Sequence, residues 1–246
     1  MTPVEELARR VVDAERLVVL TGAGLSAASG VPTFRGADGL WRQYRVADLA
    51  TPEAFARDPR LVWEWYDWRR GMIRRARPNP GHEVLAAWAA RPGVTLVTQN
   101  VDGLLERAGA DPIRLHGSIW HLRCWRPCAA GRTAWRDETT PLATLPPPCP
   151  HCGGHARPDV TWFGEPLDRT SLEAAAQAAA GADVCLAVGT SAVVFPAASL
   201  LPLARQHGAW TAEINIEATD ASGAVDLAVR GKSEEVLAEA QRIVAS

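Results

Sequence analysis

Two cysteine pairs, Cys124-Trp-Arg-Pro-Cys128 and Cys149-Pro-His-Cys152, stand with twenty residues between them, and two glycines follow the second pair. Thiols at this knuckle spacing suit a tetrahedral metal site, zinc above all. Four thiolates would fill the coordination shell and leave no position for a reactive water. The ion would therefore be structural, stapling a proline-rich segment that cannot build a core of its own. The competing use of such a module is nucleic-acid binding, which calls for a basic excess. The chain has 26 Lys and Arg against 28 Asp and Glu, a formal net charge of −2. The fifth cysteine, Cys185, lies in an apolar run and reads as a buried hydrophobe.

A second chemistry is written in LVVLTGAGLSAASG, residues 17–30. An apolar strand enters a Gly-x-Gly turn, Gly22 and Gly24, with Ala27 in the third small position. That layout lets backbone amides approach a pyrophosphate where a helix begins. A tight turn with no ligand is the plain alternative, and the strand-to-helix context favours a nucleotide. A dehydrogenase would carry an acidic residue about 20 positions on. Here VPTFRG (31–36) follows instead, and its Phe34 and Arg35 offer a ring and a cation near phosphate, so hydride transfer is disfavoured.

Further polar residues fall just after apolar runs: Gln99, Asn100 and Asp102 in TQNVDG, His116 in RLHGS, Gly189, Thr190 and Ser191 in VGTS, and Asn215 and Glu217 in EINIE. Open α/β sheets bind ligands at the C-terminal strand edge, where these residues would meet. Asp102 also reads as a helix cap. A histidine at that edge is a candidate general base near neutral pH. Together the strand ends and the glycine turn predict a dinucleotide site.

The elements that must position these groups alternate along the chain. Strands are expected at 17–20, 94–98, 113–116, 184–188, 210–216 and 226–229, and helices at 3–14, 81–90, 102–108, 172–180, 196–207 and 234–244. Near-continuous apolar strands between helices indicate a doubly wound α/β parallel sheet. Residues 37–78 are aromatic and helix-rich. Residues 119–158 hold the four cysteines with little periodicity. The expected division is a discontinuous dinucleotide-binding domain (1–36, 79–118 and 159–246), a helical insert (37–78) and a zinc-binding module (119–158). Within WEWYDWRR (63–70), Tyr66 and Arg69 share a helix face, while Arg70, Arg74 and Arg75 read as a solvated one. No apolar run approaches the roughly 20 residues of a membrane span, and the N-terminus lacks the layout of a signal peptide. A cytoplasmic protein is expected.

In order and over nearly the whole chain, GAGLSAASGVPTFRG, TQNVDGLLERAG, LHGS, the cysteine pairs, RPDVTWFGE, GTSAVVFPAA and NIE resemble the sirtuin family of NAD-dependent protein-lysine deacylases. The resemblance implies a Rossmann-type NAD domain, a small zinc-binding module and a helical part of the small domain. It implies that Ala23, Ser26, Phe34 and Arg35 hold the phosphates and the nicotinamide half of NAD. Gln99, Asn100 and Asp102 would line the nicotinamide pocket, and Gly189, Thr190, Ser191, Asn215, Glu217 and Ser233 would hold the adenosine side. Val160, Trp162, Phe163 and Gly164 would carry the substrate peptide and wall an acyl-lysine tunnel, with His116 as general base. The first cysteine pair departs from the family, with three intervening residues instead of two.

A branch resembling desuccinylases carries Tyr-x-x-Arg facing that tunnel, matched here by Tyr66 and Arg69. A guanidinium fork and a phenol can grip a terminal carboxylate. The implied activity is removal of succinyl or malonyl groups, and also acetyl, from lysine, yielding nicotinamide and O-acyl-ADP-ribose. A mainly acetyl-directed enzyme and a mono-ADP-ribosyltransferase are the rivals. Expected partners are acylated-lysine proteins, with neither nucleic acid nor membrane, and the chain is expected to be a monomer.

Overall fold

The computed structural model of the chain describes residues 1–33, 45–129, 131 and 133–245. Phe34 and Arg35 lie outside these residues. Helix α1 (Pro3–Asp13) starts at Thr2, whose hydroxyl accepts from the Glu5 amide while the Glu5 carboxylate accepts from the Thr2 amide, with Pro3 in the first turn. Strand β1 (Leu17–Thr21) leads into a 3-10 helix, Ala23–Ser29, the helix that the glycine turn opens. Four helices follow: α2 (Val46–Leu49), α3 (Pro52–Arg57), α4 (Pro59–Arg75) and α5 (Pro80–Ala89). Next come β2 (Val94–Thr98), α6 (Leu104–Arg107), β3 (Ile113–Arg114), β4 (Gly117–Cys124), β5 (Trp135–Arg136) and β6 (Ala156–Val160). The chain closes with α7 (Arg169–Gly181), β7 (Val184–Val188), α8 (Leu200–Gln206), β8 (Trp210–Asn215), β9 (Leu227–Arg230) and α9 (Ser233–Val244).

Six strands form one parallel sheet in the order β3-β2-β1-β7-β8-β9. The order reverses between β1 and β7, which makes their C-terminal ends the switch point of a doubly wound sheet. Side chains alternate across it. Leu17 and Val19 of β1 join Leu7, Leu85, Trp88 and Leu237 of α1, α5 and α9 on one face. Val18 and Leu20 join Ala175, Ala179, Leu200 and Ala204 of α7 and α8 on the other. Both faces are covered, so the central strands β1 and β7 are buried along their whole length. Among the described residues no helix is long and apolar enough to cross a membrane.

A second sheet, antiparallel in the order β5-β4-β6, stands beside the first. It lies in the stretch that reads as aperiodic. Its longest strand, β4, shifts register between Ser118 and Leu122, which breaks the period-two pattern. Pro158 sits in β6, an edge strand, where a missing amide is tolerated.

One expectation fails at α4. Arg74 and Arg75 are exposed, but Arg70 is fully buried. Its Nη2 lies 2.7 Å from the Asp137 carboxylate, and its guanidinium sits 5.5 Å from the Trp120 ring centroid. Residues 137–142 cover this face of the helix: Arg74 donates to the Glu138 carbonyl at 2.8 Å, and the Leu142 amide donates to Asp67 at 3.2 Å. A guanidinium is buried because a carboxylate 67 positions away in sequence comes to meet it.

Candidate active site

At the C-terminal edge of the parallel sheet lies a cleft of about 1230 Å³. Its floor is backbone. The Gly24 amide donates to the Gly189 carbonyl at 2.8 Å and the Gly22 amide to the Val188 carbonyl at 3.0 Å. A Cβ on Gly24 would fall 2.7 Å from the Gly189 Cα, and one on Gly189 (φ +58°) 2.5 Å from the Leu25 nitrogen. Only glycine lets the first and fourth strands of the winding end this close together. Side-chain amides then tie the strand ends: Gln99 donates to Thr190 Oγ1 at 3.0 Å, Asn100 to the Gly22 carbonyl at 3.0 Å, and Asn215 to the Thr190 carbonyl at 2.9 Å.

The cleft is lined by the expected base His116 and by Gly22, Ala23, Gly24, Gln99, Asn100, Gly189, Thr190, Ser191, Asn215, Glu217 and Ser233 of the expected cofactor residues. Tyr66, Arg69, Val160, Trp162, Phe163 and Gly164 line it too, so the expected acyl-binding groups share one cavity with them. Lys232 stands on the same rim.

Ser26 and Asp102 do not line the cleft; both are buried beneath its floor. The Asn79 amide donates to His82 Nδ1 at 3.2 Å, which leaves the His82 proton on Nε2, 3.3 Å from Ser26 Oγ. Ser26 donates to Asp102 Oδ2 at 2.8 Å, and the Leu104 amide donates to Asp102 Oδ1 at 2.9 Å. Burial holds His82 down to about 4, so this imidazole is neutral. Burial also pushes the Asp102 carboxyl up, against the pull of the Leu104 amide and the Ser26 hydroxyl. His82 escaped the sequence reading. Its signal is position: a histidine three residues after Asn79, reaching back to cap the N-terminus of α5.

His116 follows β3, with Nδ1 2.9 Å from the Gln99 carbonyl. A carbonyl only accepts, so Nδ1 carries the proton and Nε2 keeps its lone pair. Burial lowers the imidazole below its usual value, partly offset by the Gln99 hydrogen bond. The arrangement can take a proton at neutral pH.

The opposite wall is aromatic. Tyr66 stands edge-on to Trp65 at 4.8 Å, and the Arg69 guanidinium lies 4.8 Å from the Trp65 centroid. Tyr66 and Arg69 are each 3% exposed. Burial raises the Tyr66 phenol and lowers the Arg69 guanidinium. The Thr161 amide donates to the His116 carbonyl and the Phe163 amide to the Ala50 carbonyl, each at 3.0 Å, which fixes this wall to both sides.

The four cysteines converge. Their sulfurs all lie within 4.8 Å of one another, with Cys124 and Cys152 at 3.6 Å. Ligands about 2.3 Å from a tetrahedral zinc stand at nearly this spacing. The Gly153 amide donates to the Cys149 carbonyl at 2.9 Å, closing the second knuckle, and the extra residue of the first pair does not keep Cys128 away. The donor set fits zinc. Cys185, by contrast, is buried alone in β7 and pushed up to about 12, an inert thiol.

The sequence profile of the Sir2 family matches residues 22–196. NAD-dependent protein deacylase 2 of Pyrobaculum aerophilum is 50% identical over 222 residues, 89% of this chain and 87% of its own. The NAD-dependent protein deacylase of Aquifex aeolicus is 49% identical over 219 residues, 88% of this chain and 90% of its own. A solved Sir2 homologue in complex with NAD is 44% identical and superposes with a TM-score of 0.90, over 98% of this chain and 93% of that one.

Proposed function

The chain belongs to the Sir2 family, and on that premise we propose that it removes acyl groups from protein lysines with NAD as co-substrate, favouring acyl chains that end in a carboxylate. The relatives named as NAD-dependent protein deacylases, and the homologue that binds NAD, support the first part. The observation that carries the second is the buried Tyr66–Arg69 pair on the wall of the same cleft. Both residues line the cavity that would receive the acyl chain, and both carry polar donors in an otherwise aromatic wall. A succinyl or malonyl carboxylate would take donors from guanidinium and phenol together.

When bound, NAD would supply an ADP-ribosyl group to the acyl oxygen as nicotinamide leaves, and with one water consumed the products would be free lysine, nicotinamide and O-acyl-ADP-ribose. The remaining work belongs to the protein. In the Gly22–Gly24 turn the outer two amides are spent on the Val188 and Gly189 carbonyls, so the Ala23 amide between them is the one that would meet phosphate. Gln99 and Asn100 orient the nicotinamide half, and Asp102 and Ser26 brace them from beneath. Asn215, Glu217 and Ser233 take the adenosine end. His116 Nε2 accepts a proton from a ribose hydroxyl. Confining both substrates in one cleft makes an intermolecular attack local. Cys124, Cys128, Cys149 and Cys152 would hold a structural zinc. In the same reading residues 1–36, 79–118 and 159–246 form the NAD-binding domain, 37–78 the helical part of the small domain and 119–158 its zinc module.

Mass spectrometry of matched acetyl- and succinyl-lysine peptides, with and without NAD, tests this. Both should lose their acyl group only with NAD, the succinyl peptide faster, with O-acyl-ADP-ribose formed. A succinyl peptide left intact beside a deacetylated one would overturn the preference. Intact peptides with ADP-ribose attached to protein would overturn the reaction.

A further inference from the structure

We propose that Trp162 is a specificity-determining positioning residue: its indole N–H, bonded to the Tyr66 phenol oxygen, forces the phenol proton toward the cleft, where only a carboxylate-ended acyl chain can accept it. This rests on the acyl reading above and adds to it the residue that enforces it.

The geometry is simple. Trp162 Nε1 lies 2.8 Å from the Tyr66 oxygen. An indole N–H only donates, so the phenol oxygen must accept. The phenol proton cannot then point at Trp162, and among the described residues no hydrogen bond takes it. Tyr66 lines the cleft, so the proton is presented there.

Neither ring is free to turn. Tyr66 is 3% and Trp162 2% exposed. The Arg157 guanidinium lies 3.3 Å from the Trp162 ring centroid, and Phe55 packs on the ring with centroids 5.4 Å apart. Arg157 is itself held by both oxygens of Glu165, at 2.6 and 2.9 Å, and by donating to the Val160 carbonyl at 2.8 Å. One of those Glu165 oxygens also accepts from the Trp162 amide at 2.9 Å. A buried ion pair thus fixes the indole, and the indole fixes the phenol.

Discrimination follows from what each acyl chain leaves unmet. A methyl-ended acetyl chain gives the buried O–H no acceptor, and an unpaired buried donor is costly. A carboxylate satisfies it. Selectivity then comes as much from penalising the wrong chain as from holding the right one. Without the indole N–H, the phenol oxygen is itself an open acceptor, its proton is no longer directed, and the penalty weakens.

The test is a double-variant cycle in the full chain. The kcat/KM for succinyl- and acetyl-lysine peptides of one sequence is measured in wild type, Trp162→Phe, Tyr66→Phe and the double variant. The succinyl-to-acetyl ratio should fall about tenfold in Trp162→Phe, through a raised succinyl KM and a lowered acetyl KM together, and fall no further when Trp162→Phe is added to Tyr66→Phe. Benzothienylalanine at position 162, a tryptophan isostere without the N–H, repeats the measurement at constant shape should the phenylalanine variant not fold. A ratio unmoved by loss of the N–H, while Tyr66→Phe lowers it, overturns the role of Trp162 and leaves the acyl reading standing. Independent, additive losses also overturn it. A ratio that neither Tyr66→Phe nor Arg69→Met moves overturns the acyl reading, and this inference with it.

Discussion

His116 Nδ1 and the Gln99 carbonyl oxygen stand 2.9 Å apart, and this one contact selects the tautomer that leaves Nε2 free to take a proton in the cleft. His116→Ala should lower kcat by about 10²- to 10⁴-fold, while the affinity for ADP-ribose, measured by calorimetry, changes by only a few-fold. As the proposed base, His116 would work in its neutral form, and burial holds its pKa below the ordinary histidine value of 6.5. The acid limb of kcat/KM in wild type should therefore lie below pH 6.5. A limb above that value would remove His116 as the titrating base.

In the proposed reading, Arg69 supplies the fork to which a terminal carboxylate binds. Arg69→Met keeps the apolar stem and removes the donors. Succinyl-lysine kcat/KM should fall about a hundredfold, the loss expected for hydrogen bonds to a charged group, with the acetyl-lysine reaction still measurable. Equal losses on both peptides would show that Arg69 supports the wall rather than reads the acyl chain.

His82 is buried neutral, with a pKa near 4 against 6.5 in its unperturbed state. The unfolded chain binds the proton first, so native stability is fully present above pH 6.5 and is lost as pH falls toward 4, by about 3 kcal/mol. Urea unfolding of His82→Gln should show a shallower decline through that window than wild type. Parallel curves would place the acid sensitivity elsewhere.

Arg70 and Asp137 are unequal partners, since the Arg70 side chain is 0% exposed and that of Asp137 23%. Asp137→Ala strands a buried cation, though the residue 137 carbonyl still accepts from it. It should cost about 2–3 kcal/mol in urea unfolding. Arg70→Met leaves a carboxylate that water can reach and should cost less, within about 1.5 kcal/mol. The reverse order would mean that the arginine stem, not its charge, holds residues 137–142 in place.

The parallel sheet was legible because β1, β2 and β7 are mainly apolar runs of five residues with polar ends, and local pattern suffices for strands covered on both faces. The antiparallel sheet was not. β4 mixes Trp120, His121 and Arg123 with Ile119 and Leu122 across a register shift, and β6 contains a proline. The lining of the cleft was legible where polar residues end strands, as at Asn100, His116 and Asn215. The layer beneath was only partly so. Ser26 and Asp102 appear in sequence as groups for ligand, whereas three-dimensional packing turns them toward each other and toward His82. Arg70 was misread for the same reason: the charge that permits its burial is remote in sequence.

Lys232 is the only lysine in the chain, and it stands on the rim of the cleft beside Ser233. An enzyme whose chemistry concerns modified lysine therefore offers almost none of its own as background. Apart from the terminal amine, an amine-reactive fluorophore has a single address, at the mouth where the adenosine end is proposed to lie. Glu235, 3.0 Å from the ammonium, holds that amine protonated above its usual range, so labelling calls for alkaline buffer. The labelled chain would report ligand entry directly, as a change in emission, without any turnover.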